Sequence, residues 1–350
     1  MNANNRAVDV AVIGVGRMGR HHARVYANLP DANLVAVVDT DEDCRETIAD
    51  ELGCQSFCSV DELLASGSTI AAASIAVPTV HHVTVASPLL QRGVACLIEK
   101  PLAADTAEAK VLVDLAERLR APIQVGHTER FNPAVRAVAT MGITPRFIEV
   151  DRISPMTFRS LDVGVVMDMM IHDLDIVLMF AGTPLQRVDA TGVAVLGEHE
   201  DVVNARLAFE SGCIANLTAS RLALKTERKM RVFSEEAYIS LDYQKRKGVV
   251  IRRSGNEDAL SRVRQQISEG VDLTELDYFQ LVQVDELTMQ MPHDCDDPLT
   301  AELLSFLDSV RGGRQPLVDV YAGYAAVEAA QRVIDAVGQH HWEGLPQARV

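Results

Sequence analysis

The stretch of residues 165–180, VVMDMMIHDLDIVLMF, combines groups capable of acid–base chemistry with the composition of a buried helix. Twelve of its sixteen residues are apolar, and the other four are Asp168, His172, Asp173 and Asp175. A buried charge is costly unless it has a partner, so these polar side chains need an explanation. On a regular α-helix, Asp168, His172 and Asp175 lie within about 60° of one another. Asp173 points elsewhere.

This spacing is suited to proton transfer from a hydroxyl group. Asp168 and His172 are four residues apart, so the carboxylate can orient the imidazole and stabilise its charged form. An imidazole held in this way is a typical general base for an alcohol that loses hydride from the same carbon. Two other interpretations stay open: a self-satisfied polar seam at an interface, and a zinc site formed by these two residues with Asp175.

A glycine-rich turn near the start of the chain predicts a dinucleotide site. The apolar strand 8–13 is followed by Gly14-Val15-Gly16-Arg17-Met18-Gly19 and then by a helix. Gly14 permits the tight turn, Gly16 lets backbone N–H groups approach a pyrophosphate, and Gly19 lets helix and strand pack closely. Asp39 ends the next strand, where its carboxylate can bind ribose hydroxyls and repel a 2′-phosphate. NAD is therefore favoured over NADP, although Arg17 or Arg20 could still accommodate a phosphate.

Alternating strand and helix patterns over residues 1–125 predict the fold that positions these groups. They indicate an α/β Rossmann domain with a doubly wound parallel sheet. Ligands of such sheets bind at the carboxyl ends of the strands, where Pro78-Thr79, Glu99-Lys100 and Gly126-His127 fall. The ammonium group of Lys100 can donate to the reacting oxygen, and Glu99 can position this lysine or the nicotinamide ribose.

The pattern changes after residue 125. Successive strand-like segments without intervening helices predict an α+β domain over residues 126–350 with a large, mostly antiparallel open sheet. Helices expected at about 164–181, 298–311 and 320–337 would cover one face of that sheet. The polar stretch 255–273 is typical of a mobile insertion.

Composition excludes several classes of protein. A chain of 350 residues is long enough for two domains, and its formal charge of −16 argues against binding to nucleic acid or to anionic membrane surfaces. No stretch is long and apolar enough to span a membrane, and the N-terminus does not resemble a secretory signal, so we expect a cytoplasmic protein. The six cysteines form no CxxC pair, which favours reduced thiols over a metal site at Cys54 and Cys58. We therefore predict no metal.

Four ordered motifs carry a resemblance to a known family: the glycine turn, Pro78-Thr-x-x-His82, Glu99-Lys100-Pro101 and Asp168-x-x-x-His172. Together they resemble the glucose–fructose oxidoreductase/inositol dehydrogenase (Gfo/Idh/MocA) family of NAD(P)-dependent sugar oxidoreductases, essentially from end to end. The resemblance assigns Lys100, Asp168 and His172 to the catalytic centre. It also implies an open sheet face that forms a homodimer or homotetramer. The cofactor contacts we predict are Gly14, Gly16, Arg17, Met18, Gly19, Asp39, Thr79, His82, Glu99 and Lys100.

Within that family, segments 126–137, 164–176 and 215–243 look like those of the dehydrogenases that oxidise the 3-hydroxyl of UDP-N-acetylglucosamine. In that group the 3-keto sugar nucleotide passes to an aminotransferase and becomes a diamino sugar of lipid A-type glycolipids. Two other functions stay open: oxidation of a free sugar or polyol of the inositol type, and a non-catalytic sensor that binds dinucleotide and a protein partner.

Several further residues are candidates for substrate contact. Arg130 and Asn132 open the second domain and are expected to touch substrate, unless they belong to a surface turn. A diphosphate would need positive charge, and Arg221 and Lys225 lead the dense basic cluster that continues with Arg228, Lys229 and Arg231. A solvated strand edge is the alternative for this cluster. Asp175 is also expected to contact substrate, whereas His21, His22 and His81 are expected to be surface or helix-start residues without a role.

Overall fold

The computed structural model describes residues 7–157, 163–254, 257–270, 281–287, 289, 295 and 297–341. The chain divides into two compact units. The first comprises the described residues of Met1–Asn132 and Met291–Arg332, and the second those of Pro133–Gln290 and Val333–Val350. No helix among the described residues is long and apolar enough to cross a membrane.

The helices and strands follow one another in two series. The strands are β1 (Val8–Ile13), β2 (Ala32–Val38), β3 (Gln55–Phe57), β4 (Ala72–Ile75), β5 (Ala95–Glu99), β6 (Ile123–Gly126), β7 (Phe147–Ile153), β8 (Leu185–Val193), β9 (Val202–Phe209), β10 (Ile214–Ser220), β11 (Glu227–Phe233), β12 (Ala237–Asp242), β13 (Lys247–Arg253) and β14 (Val282–Glu286). The helices are α1 (Arg17–Asn28), α2 (Glu42–Leu52), α3 (Val60–Ala65), α4 (His82–Gln91), α5 (Thr106–Leu119), α6 (Pro133–Ala139), α7 (Ile171–Ala181), α8 (Glu257–Ser268), α9 (Pro298–Gly312) and α10 (Val320–Gln339).

The first unit contains a parallel six-stranded sheet in the order β3-β2-β1-β4-β5-β6. Its central strands read as continuous apolar runs because both faces are covered by helices, and β4 and β5 are buried along their whole length. The strand order reverses direction between β1 and β4, which is where an open parallel sheet places its ligand. The predicted doubly wound fold is confirmed.

Helix α9 belongs to this first unit, not to the second sheet as expected from the sequence. Its apolar residues Leu303, Phe306 and Leu307 are fully buried in one cluster with Val8 and Tyr26. The expected boundary between residues 125 and 126 therefore differs from the division in the structure, which follows Asn132 and returns the α9 segment to the first unit. The cause is that the apolar stripe of α9 packs in one buried cluster with residues of α1 and β1.

The second unit contains an eight-stranded sheet in the order β14-β13-β12-β11-β7-β10-β9-β8. Its pairs are antiparallel except for β7 and β10, which run parallel. In the inner strands alternate residues are buried on one face, as in β7 and β10, whereas the edge strands β8 and β14 contain no buried residue. The mostly antiparallel α+β architecture predicted for this part of the chain is confirmed.

Two elements of the second unit differ from the sequence prediction. Strand β14 was not expected, because Val282–Glu286 carries only a short alternating pattern. Within the polar stretch 255–273, residues Glu257–Ser268 form helix α8 where a mobile insertion was expected. Residues 255, 256 and 271–273 of that stretch lie outside the described residues.

Candidate active site

The glycine turn after β1 is held by close packing of backbone on backbone. Gly14 has a φ of +83°, and a Cβ atom there would lie 2.9 Å from the carbonyl oxygen of Ala76. A Cβ on Gly19 would lie only 1.7 Å from the carbonyl oxygen of Gly14, so α1 starts directly against the turn. Nothing lies within 4 Å of a Cβ on Gly16, and this residue is exposed at the start of α1. The turn therefore offers an open backbone cradle at a helix N-terminus, which suits a phosphate.

Asp39 lies at the end of β2 with its carboxylate fixed by two backbone amides. Its Oδ2 accepts from the N–H of Val15 at 2.8 Å, and its Oδ1 accepts from the N–H of Asp41 at 3.0 Å. Arg45, the first arginine after Asp39, forms ion pairs with Glu42 and Glu46. A carboxylate at this strand end would accept from ribose hydroxyls and repel a 2′-phosphate, which favours NAD over NADP.

A cavity of about 510 Å³ adjoins these groups in the first unit. Its lining includes Gly14, Gly16, Asp39, Cys58, Pro78 and His81. This volume lies within the range of small-molecule and cofactor pockets. Met18 is 38% exposed, and Arg17 is exposed beside it, so both can contact a ligand of the turn. Thr79 is half-buried in the short helical turn Thr79–His81 that follows Pro78.

Glu99 ends β5 in a buried environment shared with His22. The Nε2 atom of His22 lies 3.0 Å from Oε1 of Glu99, and the backbone N–H of Lys100 donates to Oε2 at 3.3 Å. Burial raises the pKa of Glu99, but the contact with His22 and the charge of Lys100 outweigh it, so this pKa lies below its ordinary value. Gly126 packs on the same side chain, since a Cβ there would lie 3.0 Å from Oε1 of Glu99.

His22 is a residue whose environment the sequence analysis judged wrongly. It was expected at a surface or helix start, but its side chain is fully buried in α1. The helix spacing could have revealed it, because His22 lies three residues after Gly19 and one before Ala23, on the side of α1 that faces the sheet. Arg130 and Asn132 were expected in the second domain but belong to the first unit.

His82 links two strand-end loops through its ring nitrogens. Nδ1 lies 3.0 Å from the carbonyl oxygen of Pro101, and Nε2 lies 3.1 Å from that of Val77. The residue is 1% exposed, and burial lowers its pKa. Both ring nitrogens thus already face backbone carbonyls, and the contact of His82 with cofactor stays a prediction.

The segment that carries Asp168 is not a regular α-helix. Residues Val166–Met170 form a π-helical turn, in which the N–H of Ile171 donates to the carbonyl of Val166, and α7 follows from Ile171. The expected common face of Asp168, His172 and Asp175 assumed a regular α-helix throughout, so the π turn changes their relative angles. Asp168 and His172 are half-buried, whereas Asp175 is 1% exposed. π turns occur often at functional sites.

Asp173 was expected to point away from the other polar side chains, and it binds Arg152 of β7. The guanidinium donates from Nε to Oδ2 at 2.6 Å and from Nη2 to Oδ1 at 2.8 Å. Both residues are buried, with exposures of 4% for Arg152 and 2% for Asp173. This two-pronged ion pair accounts for one charge of the helix in structural terms. Arg152 escaped notice because one arginine in an amphipathic strand carries no sequence signal.

The basic cluster is largely matched by carboxylates. Arg221, at the end of β10, is 3% exposed and donates from Nε to Oδ1 of Asp201 at 2.7 Å. Lys229 binds Glu227, and Arg231 binds Glu149. Lys225 lies exposed in the loop between β10 and β11. The structure thus leaves Lys225 accessible to a phosphate and commits Arg221 to the protein interior.

Arg130 and Asn132 lie in and just after a short helical turn, Thr128–Phe131. Both are half-buried, and the amide of Asn132 donates to the carboxylate of Glu129 at 3.1 Å. Glu302 of α9 is fully buried, and its Oε2 accepts from Oγ1 of Thr128, in the same helical turn as Arg130, at 2.7 Å. Among the described residues, no group of three potential ligand side chains could hold a metal ion.

Comparison with protein families identifies two regions. Residues 8–127 match a family described as "Oxidoreductase family, NAD-binding Rossmann fold", and residues 145–240 match the "GFO/IDH/MocA C-terminal domain". Each match falls largely within one of the two units of the structure.

Individual relatives agree with these matches. The chain is 36% identical over 93% of its length, and 96% of the relative's, to UDP-N-acetylglucosamine 3-dehydrogenase of Acidithiobacillus ferrooxidans. A solved structure of that enzyme has a TM-score of 0.83 and 34% identity, covering 95% of this chain and 98% of the other. An inositol 2-dehydrogenase of Rhizobium meliloti is 28% identical over 62% of this chain and 69% of the relative.

Proposed function

Because the chain belongs to the GFO/IDH/MocA family of NAD-binding oxidoreductases, we propose that it oxidises the 3-hydroxyl of UDP-N-acetylglucosamine to a ketone. The observation that carries the proposal is the 36% identity over 93% of the chain to a dehydrogenase of that name. The inositol dehydrogenase relative matches less of the chain at lower identity. The sugar nucleotide is therefore favoured over a free polyol.

The residues present fit NAD. The open backbone at Gly16 and the N-terminus of α1 would hold the pyrophosphate, and Asp39 would accept from the adenosine ribose. The cavity that adjoins Gly14 and Asp39 has room for the nucleoside. When bound, NAD supplies the acceptor for the hydride that leaves the substrate carbon.

His172 is proposed to take the proton of the substrate hydroxyl. An imidazole changes charge near neutral pH, so it can accept a proton as the carbon–hydrogen bond breaks and return it in the reverse reaction. Asp168 is proposed to orient His172 and to stabilise the imidazolium that forms. The half-buried position of both side chains would strengthen this charge interaction relative to one in water.

Lys100 is proposed to donate a hydrogen bond to the same substrate oxygen. Its ammonium group would stabilise the negative charge that develops as the carbonyl forms. Glu99 precedes it, and the charges of the two residues favour each other, which keeps the carboxylate ionised. The proposed role of Glu99 is therefore to hold the lysine in place.

Contacts with the rest of the substrate are assigned to polar side chains that the structure leaves at least partly accessible. Lys225 is exposed and is proposed to bind the diphosphate, with Arg130 and Asn132 proposed to bind the sugar. Asp175 is 1% exposed and does not meet this condition, so a contact with substrate would need a local rearrangement. Arg221 is omitted because Asp201 holds it in the interior.

The test is a substrate panel followed by two substitutions. Purified protein with NAD should form NADH with UDP-N-acetylglucosamine, but not with its 3-deoxy analogue, free N-acetylglucosamine or myo-inositol. Lys100→Ala and His172→Ala should lower kcat by about 10²- to 10⁴-fold and leave NAD affinity nearly unchanged. Lys110→Ala and His199→Ala, at exposed positions, serve as matched controls. Full turnover in both site variants would refute the mechanism.

A free sugar or polyol remains the second candidate, supported by the inositol dehydrogenase relatives. Lys225→Glu separates the two candidates. Charge reversal should raise KM for a UDP-sugar several-fold and leave KM for a polyol unchanged, because only the first carries a diphosphate. Turnover of myo-inositol with no turnover of any UDP-sugar would select the polyol.

The product and the assembly complete the proposal. A 3-keto sugar nucleotide has a carbonyl that an aminotransferase can convert to an amine. We propose that such an enzyme uses the product and forms a diamino sugar of lipid A-type glycolipids.

A homodimer or homotetramer is proposed to form through the face of the sheet that carries Phe147, Phe233 and Tyr238. Their rings are clustered, with centroids 5.4 and 5.0 Å apart. Phe233→Arg should lower the mass measured by light scattering.

A further inference from the structure

The chain enters the π-helical turn through Val163, Gly164 and Val165, and this entry is tied to the start of β9. The N–H of Val165 donates to the carbonyl of Glu200 at 2.9 Å. The N–H of Asp168 donates back to the carbonyl of Gly164 at 3.1 Å. Any movement of residues 163–165 would therefore be passed directly to Asp168.

Arg221 joins three parts of the second unit at this entry. Its Nε donates to Asp201 at 2.7 Å, its Nη1 donates to the carbonyl of Val163 at 2.7 Å, and its own N–H donates to the carbonyl of Asp201 at 3.0 Å. A planar guanidinium can make such divergent bonds in a fixed geometry, which an ammonium group cannot. Arg221 thus fixes the carbonyl of Val163 relative to β9 and β10.

The second carboxylate oxygen of Asp201 accepts two further hydrogen bonds. This Oδ2 atom accepts from the N–H groups of Val195 and Leu196, both at 2.7 Å, at the turn between β8 and β9. The residue is fully buried. Burial raises its pKa, but these two amides and Arg221 outweigh it, so the pKa of Asp201 lies below its ordinary value. A charged acceptor therefore anchors Arg221.

Glu200 adds a second tie next to the first. Its Oε1 accepts from the N–H of Val166, the first residue of the π turn, at 3.3 Å. The carboxylate fills the space beside Gly164, since a Cβ there would lie 2.0 Å from Oε1. The Glu200 carboxylate thus occupies the space that a side chain at residue 164 would need.

We propose that Arg221, anchored by Asp201 and assisted by Glu200, is a positioning residue that sets the place of Asp168 by fixing the start of the π turn. The inference rests on the proposed function, in which Asp168 orients the base His172. It assigns to Arg221 a role different from the diphosphate contact that the sequence suggested. The two roles predict effects on different kinetic constants, kcat for positioning and KM for a diphosphate contact.

Arg221→Lys is the decisive substitution. Lysine keeps the charge beside Asp201, so folding is preserved, but it cannot also reach the Val163 carbonyl in the same geometry. A positioning role predicts a fall in kcat of about 10- to 100-fold, with KM for the UDP-sugar within about two-fold. A diphosphate ligand would instead give a raised KM with kcat unchanged, which would overturn the proposal.

Gly164→Ala provides a second, milder variant. The new methyl group would displace only the end of the flexible Glu200 side chain, removing its bond to Val166 while the fold is kept. A smaller fall in kcat, again without a change in KM, is expected. Arg206→Lys is the matched control, since Arg206 is an exposed arginine of β9 that donates to Asn216.

Hydrogen exchange without substrate makes the test independent of the proposed function. Arg221→Lys should accelerate exchange at the amides of Val165, Val166 and Asp168, and Arg206→Lys should not. Unchanged exchange at these amides in Arg221→Lys would overturn the proposal. If the wild-type protein turned over no UDP-sugar, the proposed function would fail while the exchange result still reported whether Arg221 fixes the π turn.

Discussion

The two units hold their chemical groups by different means. In the first, the glycine turn after β1 is set by backbone packing, with Gly19 so close to Gly14 that no side chain fits. In the second, the helical segment with Asp168 and His172 is held by buried side-chain pairs, Arg221 with Asp201 and Arg152 with Asp173. Close backbone packing is disrupted by a substitution that adds atoms. A buried charged pair is disrupted by a substitution that removes one of its two partners.

Glu99 is held both by backbone packing and by a side-chain pair, so it shares features of both units. It lies in the first unit, where the backbone of Gly126 packs against its side chain. Its carboxylate is nevertheless paired with the side chain of His22. The comparison predicts that substitutions around Glu99 have smaller effects than those at Gly19, because each of its two supports can partly compensate for loss of the other.

The largest effect is expected from Gly19→Ala. A methyl group 1.7 Å from a backbone oxygen forces α1 away from the turn, which separates the N–H groups of the phosphate cradle. NAD affinity should fall by about 1,000-fold or more, equivalent to about 4 kcal/mol. Calorimetric titration with NAD measures it. Gly338→Ala, where nothing lies within 4 Å of the new Cβ, is the control. Retained NAD affinity would show that the turn can rearrange.

The next largest effect is expected from the buried pair of Arg152 and Asp173. Either Arg152→Leu or Asp173→Leu removes the partner that holds the other buried charge in a two-pronged contact and should lower the free energy of unfolding by about 3–5 kcal/mol. The double substitution removes both charges and should cost less than either single one. Urea unfolding of the four proteins gives the coupling energy.

The exposed pair of Arg187 and Asp189 is the matched control for this cycle, with side chains 67% and 60% exposed. Its removal should leave the free energy of unfolding nearly unchanged, because water replaces the lost contact. Additive effects of Arg152→Leu and Asp173→Leu would mean that the second unit does not depend on this pair.

The sequence predicted the first unit better than the second for a physical reason. Gly14, Gly16, Gly19 and Asp39 act through local geometry, and a short stretch of chain contains the whole turn. The family resemblance, confirmed by the comparisons, rests largely on such local motifs. The parallel arrangement of the strands also follows from alternation of strands and helices.

What the sequence did not predict depends on contacts between distant residues. Arg152 and Asp173 are 21 positions apart, and His22 and Glu99 are 77 apart, so no local pattern marks either pair. The π turn at Asp168 arises from ties at its start, and regular helical periodicity cannot indicate it. Arg221 was assigned to substrate because charge alone does not distinguish a buried arginine from an exposed one.

A moderate effect on the free energy of unfolding is expected when acid protonates Glu99. Its pKa is depressed in the folded protein, so the stability it contributes is present above its ordinary value of 4.5 and is lost as pH falls through the lower, folded value. The wild-type protein should therefore exceed Glu99→Gln in free energy of unfolding above pH 4.5, and the difference should shrink in more acidic solution.

Urea unfolding at a series of pH values measures this difference, with Glu42→Gln as control because that side chain is 78% exposed. In a His22→Asn background the partner is lost, and burial should then raise the pKa of Glu99. The slope with pH should accordingly reverse or disappear. A pH-independent difference between wild type and Glu99→Gln would show that the carboxylate is not held ionised.

The smallest effect is expected from Gly126→Ala. The added Cβ would lie 3.0 Å from the backbone Cα and from the Cδ and Oε1 atoms of Glu99, so both the end of β5 and the Glu99 side chain must shift by a few tenths of an ångström. We expect a loss of less than about 1 kcal/mol in the free energy of unfolding, and a decrease in kcat of a few-fold with NAD affinity unchanged. Because Gly126 and His22 act on the same carboxylate, the effects of Gly126→Ala and His22→Asn on kcat should not be additive. Additive effects would instead mean that the backbone of Gly126 and the side chain of His22 support Glu99 independently. Backbone packing and side-chain pairing, which the two units use separately, would then both act on one residue.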